Sequence, residues 1–427
     1  MKKIYNPERA AWPEVLRRPT QTVADIEDTV AAIFTELKES GDATLRKYTE
    51  KFDGVVLTDL KVSEREIEEA KKLISEDLKK AIQLAKSNIE AFHEAQKTAK
   101  VEVETVSGVF CWQEKRPIQK VGLYIPGGTA PLFSTILMLA VPAAIAGCKE
   151  VVLCSPPNKE GKIHPAILFT AYLCGVTQIY KVGGIQAIAG MTFGTESIPQ
   201  VYKLFGPGNQ YVTVAKQIAT KYGVAIDMPA GPSELLVVAD DSANAAFVAS
   251  DLLSQAEHGV DSQVILVSTS KNLIDLVEIE IEKQITSLPR KNIAERAIAN
   301  SKLIYVANDE TAIDLINAYG PEHYIVCVKN EDFYVENTMN AGSVFIGNYT
   351  PESAGDYASG TNHTLPTNGY AKQYSGVNLD SFMKSMTFQK ITAEGIKKIG
   401  SAIETMAEAE GLEAHKNAVT LRLNSLK

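Results

Sequence analysis

An α/β fold made of two Rossmann-like halves on parallel sheets is the architecture this sequence predicts, and three observations carry it. From Val121 onward, short apolar runs without polar alternation recur, each followed by a Gly- or Pro-rich turn and a helical stretch. The same rhythm restarts at Leu235, so the pattern occurs twice. The 427 residues, 45% hydrophobic and 22% charged, supply material for about three structural units with packed cores.

Taken in order, the opening Met1 to Glu8 has two positive charges but reaches Asn6, Pro7 and Glu8 without an apolar segment, which predicts no secretory signal and a cytoplasmic protein. From Val23 to about Lys97 the pattern is helical, with Ser63 placed as an N-cap before Glu64-Arg65-Glu66. Val101 to Val106 alternates apolar and polar residues like a strand. The first set of apolar runs is Val121–Ile125, Glu150–Cys154, Gln178–Val182 and Val201–Phe205. Strands of this kind, joined by helices, are covered on both faces and need no polar alternation. Between them, Leu132 to Ala146 is apolar but interrupted by Ser134, Thr135 and Pro142, and falls short of the ~20 residues that span a bilayer. It predicts a buried helix. The second set is Leu235–Ala239, Gln263–Val267 and Leu303–Val306. After Val377 the strands are expected to stop, with one helix from about Phe388 to Glu410 and another from Leu412 to Leu426. Such a tail cannot bury its apolar face alone and must dock on the body or on another subunit.

The net charge of -9 and a pI near 5.4 oppose attachment to nucleic acid or anionic membrane, both of which need concentrated Lys and Arg, so small-molecule chemistry is expected. The five cysteines, Cys111, Cys148, Cys154, Cys174 and Cys327, include no C-x-x-C pair and are expected to be reduced core thiols.

Open α/β sheets bind ligands outside the carboxyl ends of their strands, which directs attention to four glycine-bearing turns. These are Pro126-Gly127-Gly128-Thr129, Gly183-Gly184-Ile185-Gln186, Gly206-Pro207-Gly208-Asn209-Gln210 and Ala230-Gly231-Pro232-Ser233-Glu234. None completes G-x-G-x-x-G, since Tyr211 follows Gly208 where the third glycine would stand. Glycine lets backbone amides approach a phosphate at a helix N-terminus, but it also serves turns for conformational reasons alone, and both uses stay open.

Of six histidines, His93 and His164 read as structural. The other four each stand near a carboxylate or amide. Gln255 and His258 are spaced to share a helix face and a common ion. Glu322-His323, after Gly320-Pro321, pairs a carboxylate with an imidazole for acid-base work. Asp356 and His363 bracket a run of small residues, and Glu410 and His415 flank Gly411. Imidazole and carboxylate suit a Zn²⁺ site. Spacing does not decide which residues bind metal and which move protons.

The runs Ile226–Leu235 and Ser250–His258, with Gly206-Pro207-Gly208-Asn209, Gly320-Pro321-Glu322-His323, Gly355-Asp356-Tyr357 and Glu410–His415, resemble the signatures of the histidinol dehydrogenase family, in order and over essentially the whole chain. The resemblance implies two Rossmann-like (aldehyde-dehydrogenase-like) domains with parallel sheets, plus helical N- and C-terminal extensions. Its partition is an extension over 1–22, a discontinuous substrate and zinc domain over 23–123 and 233–377, an NAD-binding domain over 124–232, and a helical tail over 378–427 swapped within a homodimer. It implies oxidation of L-histidinol through L-histidinal to L-histidine, the last step of histidine biosynthesis, with two NAD⁺ in succession and one Zn²⁺ per active site. Carried residue by residue, Gln255, His258, Asp356 and His415 are the zinc ligands. His323 is the base and Glu322 activates the water that hydrates the aldehyde. Ser233, His363 and Glu410 join these residues in binding substrate, and Tyr124, Gln186 and Asn209 contact NAD⁺. His415 and Glu410 are donated across the dimer interface.

Two rival readings remain: the same chemistry on another polar alcohol, and a zinc hydrolase in which Glu322 or His323 activates metal-bound water without a nicotinamide. A non-catalytic binding protein leaves Glu322-His323 without a task.

Overall fold

The structure, a computed structural model, describes residues 1–19, 24–127, 130–229 and 231–427. Val23, at the head of the expected helical segment, and Gly128, Thr129 and Ala230 of the expected turns lie outside the described residues.

The chain forms two compact units, residues 1–96 with 119–382, and residues 97–118 with 383–427. The first contains both predicted parallel sheets. The six-stranded sheet has the order Lys2–Tyr5, Lys302–Tyr305, Gln263–Ser268, Glu234–Ala239, His323–Cys327, Ser343–Ile346, parallel throughout. Glu234–Ala239 and Gln263–Ser268 are buried at every residue, the outcome expected for runs without polar alternation. Leu235 and Val237 pack on one face with Val248, Leu252 and Leu253 of the helix Ala245–Ala256, while Leu236 and Val238 pack on the other with Leu315 and Tyr319 of the helix Asp309–Tyr319.

The five-stranded sheet has the order Gln178–Tyr180, Glu150–Cys154, Lys120–Tyr124, Lys203–Phe205, Ala225–Ile226, also parallel. The apolar run expected as a buried helix is the helix Ser134–Ala146, closed by Gly147 in the left-handed conformation at φ 84°. The long helix Ala24–Asp53 bends at Gly41, whose φ of 46° is non-helical. Ser63 caps the helix Glu64–Leu73 in a reciprocal capping box with Glu66. Among the described residues no helix is long and apolar enough to cross a membrane.

Two expectations need correction. The chain's opening is not purely helical: Lys2–Tyr5 is an edge strand too short to show a period, and its lysines suit an exposed edge. Nor do the strands stop at Val377. In the second unit Met383–Ile391 pairs antiparallel with Val109–Pro117, which pairs in turn with Val101–Val106. The strand was hidden by its polar composition, and the helix read from Phe388 starts only at Ala393, capped by Thr392. Phe388 instead stacks on Trp112 across the strands, with ring centroids 5.3 Å apart. The helices Ala393–Ala409 and Glu413–Asn424 complete this unit.

Candidate active site

The acid-base cluster gathers at the amino edge of the six-stranded sheet. Glu234 and His323 are the first residues of adjacent parallel strands, with His323 level with Leu235 and Ser343. The chain enters His323 through Gly320, whose φ of 65° closes the preceding helix. Ligand binding past the carboxyl ends of strands, the rule that drew attention to the glycine turns, does not describe this cluster.

One residue orients both members of the Glu322-His323 pair. The backbone N–H of Glu234 donates to Glu322 Oε2 at 2.8 Å, and its carbonyl lies 3.2 Å from His323 Nδ1. When Nδ1 carries the proton and donates to that carbonyl, Nε2 keeps its lone pair. His323 Nε2 is buried with no hydrogen-bond partner. The Glu234 side chain is itself anchored by a two-pronged ion pair with Arg18, whose guanidinium lies 3.9 Å from the Tyr319 ring centroid, and by the Asn368 N–H at 2.7 Å.

Carboxylates surround the imidazole. Glu322 and Glu352 stand 3.6 and 3.8 Å from Nδ1, and Asp356 3.7 Å from Nε2. Burial disfavours a charged ring, but Glu352, Glu322 and Asp356 outweigh it and hold His323 well above the usual histidine range. Burial pushes the Glu352 carboxyl up to about 8. Burial also opposes ionisation of Asp356, yet His323, His363 and His258 hold it below the usual carboxylate range. His363 Nδ1 lies 3.0 Å from the Asp356 carbonyl and Nε2 3.1 Å from Thr135 Oγ1, and burial lowers its pKa.

Ligand atoms of His258, Glu352 and Asp356 all lie within 4.8 Å of one another. Imidazole with carboxylates fits a divalent ion of borderline softness. Gln255 joins them: with its amide nitrogen toward Glu352 it donates to Oε2 at 3.1 Å and accepts from the Glu234 N–H at 3.2 Å. His258 lies just past the helix on which Gln255 sits, not on it as expected, and both residues stand beside Glu352. Gln255 is buried in the last turn of the helix Ala245–Ala256, and His258 is exposed just beyond it. Glu352 was missed in the sequence, although its spacing of four from Asp356 on the short helix Glu352–Tyr357 was a usable signal. Ser233 immediately precedes Glu234, and its carbonyl accepts from the Gln263 N–H at 3.2 Å. Glu410 and His415 belong to the second unit, where both are exposed.

The other expected residues lie at the carboxyl edge of the five-stranded sheet. The Tyr124 hydroxyl accepts from the Gly184 N–H at 3.1 Å, and Gly206 packs so tightly that a Cβ there would lie 2.1 Å from the Tyr124 carbonyl oxygen. Two glycine turns therefore converge on Tyr124. Gln186, in the first turn of the helix Gly184–Phe193, is 1% exposed and neither end of its amide has a partner. Asn209 caps the helix Gln210–Lys221, accepting from the N–H groups of Tyr211 and Val212, each at 3.1 Å.

The family model for histidinol dehydrogenase matches residues 16–423. The chain belongs to the histidinol dehydrogenase family. It is 59% identical over 427 residues to a histidinol dehydrogenase of Bacteroides thetaiotaomicron, with both chains covered completely. It is 53% identical to that of Escherichia coli over 417 residues, covering 97% of this chain and 95% of the other. The crystal structure of histidinol dehydrogenase from Elizabethkingia anophelis superposes with a TM-score of 0.98 at 56% identity, covering 100% of this chain and 98% of that one. Members of the histidinol dehydrogenase family are dehydrogenases, and this chain is one of them.

His93 and His164 have the structural roles expected of them. His93 is fully buried with Nδ1 2.8 Å from the Ile89 carbonyl, and His164 caps the helix Pro165–Leu173. All five cysteines are free, and burial pushes Cys148, Cys174 and Cys327 up to about 12, so these three are not nucleophiles at neutral pH.

Proposed function

We propose that this protein oxidises L-histidinol through L-histidinal to L-histidine with two NAD⁺ in succession and one Zn²⁺ per active site, in the cytoplasm, as the last step of histidine biosynthesis. The observation that carries the reading is the buried Glu322-His323 pair, held by Glu234 with His323 Nε2 unpartnered, beside a cluster of metal-ligand donors.

Gln255, His258, Asp356 and His415 would hold the zinc in this reading; its charge would position the substrate and offset that of the surrounding carboxylates, which leaves His323 neutral and able to take a proton. The protein's residues do the rest. His323 Nε2 takes the hydroxyl proton as a hydride leaves the carbinol carbon for the first NAD⁺. Glu322 then accepts a proton from the water that adds to the aldehyde, while the proton held on His323 Nε2 passes to the carbonyl oxygen, which gives the gem-diol and restores the neutral imidazole. His323 takes a proton from the resulting gem-diol as the second hydride leaves, and the product is the carboxylic acid. Ser233, His363 and Glu410 orient the substrate, and the aldehyde stays bound between steps.

NAD⁺ lies in the 124–232 domain against Tyr124, Gln186 and Asn209, opposite the 23–123 and 233–377 domain that carries substrate and zinc. The 378–427 tail is swapped in a homodimer, placing His415 and Glu410 in the partner's site. The apolar side chains exposed in the second unit, among them Val101, Val103, Met406, Leu412 and Leu421, support an association of this kind. Mixing His323→Ala with His415→Ala protein should restore activity through hybrid dimers. No restoration despite proven subunit exchange would remove the swap.

The test of function is incubation with L-histidinol and NAD⁺, following NADH and histidine with and without prior chelation. Two NADH per histidine, lost on chelation and recovered with zinc, is the expected result. Preference for a different alcohol by orders of magnitude in kcat/KM would replace the substrate.

A further inference from the structure

Lys216, on the helix Gln210–Lys221, and Asp227, just past the strand Ala225–Ile226, form an ion pair whose side chains are 3% and 0% exposed. Desolvation commonly offsets the Coulombic gain of such a pair, so attraction between the two charges is by itself a poor reason to keep it. Its contacts suggest another use. The Gly206 N–H donates to Asp227 Oδ2 at 2.8 Å, and Lys216 Nζ donates to the Gly206 carbonyl at 2.9 Å. Both backbone groups of one glycine are thus held by charges of opposite sign. The remaining Asp227 oxygen accepts the Met228 N–H at 2.7 Å.

Gly206 has φ 129°, a conformation that side-chain-bearing residues rarely adopt, and its backbone presses on Tyr124. Two residues further, a Cβ on Gly208 would lie 2.4 Å from Val212. The turn then delivers Asn209 to the head of the helix that carries Lys216. A clamp on Gly206 therefore fixes the first residue of the turn against Tyr124 and ties it to the helix that the turn begins.

We infer that Lys216 and Asp227 are positioning residues for the dinucleotide: their buried ion pair holds the Gly206 turn in its binding conformation before NAD⁺ arrives. The inference rests on the NAD⁺ reading above. Neither residue touches the cofactor; both act through Gly206.

The test replaces the pair by apolar residues of similar size, Lys216→Met with Asp227→Leu, in the full-length zinc-loaded protein. Thermal melting, calorimetric NAD⁺ affinity and the split between KM for NAD⁺ and kcat are then measured. Expected are a lower Tm, because the Gly206 N–H and carbonyl and the Met228 N–H lose their partners, an NAD⁺ Kd and KM raised about tenfold by loss of the preformed turn, and kcat at saturating NAD⁺ within about threefold. NAD⁺ affinity within about twofold of the parent in a folded variant would overturn the inference, as would a loss of kcat at saturating NAD⁺ as large as the loss of affinity. Hydrogen exchange on the unsubstituted protein gives a second arm that does not depend on the variant folding. The Gly206 amide should exchange slowly without NAD⁺, and fast exchange that slows only when NAD⁺ is added would also overturn the clamp. If the unsubstituted protein fails to bind NAD⁺ at all, the cofactor reading falls and this inference falls with it, whereas unchanged affinity in the variant sinks the inference alone.

Discussion

The two parallel sheets of the first unit are built alike but use opposite edges. The five-stranded sheet presents its carboxyl edge, where glycine turns lead into the N-termini of the helices Gly184–Phe193 and Gln210–Lys221. The six-stranded sheet presents its amino edge, where the helix Ala245–Ala256 ends at Gln255 and His258 and the helix Asp309–Tyr319 ends before Glu322-His323. Helix N-termini carry partial positive charge and C-termini partial negative charge. One edge therefore suits the phosphates of a dinucleotide and the other a metal cation, before any side-chain charge is counted. On the proposed reading, the polarity of the helix ends would sort cofactor from metal, and a rule that looks only past the carboxyl ends of strands would miss the Glu322-His323 cluster.

The comparison predicts that the edges can be disabled separately. Chelation should abolish NADH formation while NAD⁺ binding by calorimetry persists. Loss of both together would mean that the two edges do not work independently. Next in size, His323→Ala should lower kcat by about 10²–10⁴-fold, as removal of a general base does, with NAD⁺ affinity little changed. Parallel losses in kcat and affinity would place His323 in cofactor binding.

Much of the architecture, and the placing of Glu322 beside His323, was legible in the sequence, for identifiable reasons. Runs such as Leu235–Ala239 announced themselves because both faces are buried, and Glu322-His323 because a carboxylate and an imidazole stand side by side after Gly-Pro. Met383–Ile391 was not legible: an exposed strand rich in Lys, Ser, Thr and Gln carries no hydrophobic period. The role of Glu234 was hidden because it acts through backbone groups, whose partners are set by strand register and not by residue type. Glu352 was overlooked because the short helix that carries it lies among small turn residues.

Two smaller effects sharpen the contrast within the amino edge. Glu352→Gln should weaken zinc binding by about 10–100-fold, the usual cost of disturbing a group that orients or supplements a ligand. Metal content after dialysis against a calibrated chelator reads this directly, and unchanged retention would leave Glu352 without a part in the metal site. Asp251, in the helix Ala245–Ala256, is pushed up to about 7 by burial. A carboxyl raised in the folded state binds protons more tightly there than in the unfolded chain, so its presence costs stability as pH rises from about 4 to 7, and the full cost applies above that. Asp251→Asn should therefore stabilise the protein by about 1–2 kcal/mol at pH 8, with the gain vanishing near pH 4. Denaturant titrations at the two pH values check it, and a pH-independent difference would assign the effect to packing.

Glu234 lends its N–H to the carboxylate and its carbonyl to the imidazole. Acid-base partners mounted on a single residue drift in step: a shift of that strand carries both along and leaves their mutual geometry intact. For anyone redesigning this scaffold toward new alcohols, the pair is a cartridge to be kept whole. Arg18, Tyr319 and Asn368 stay as the frame that keeps the cartridge seated, and Ser233 and His363, the substrate contacts of the proposed reading, are the places to introduce diversity.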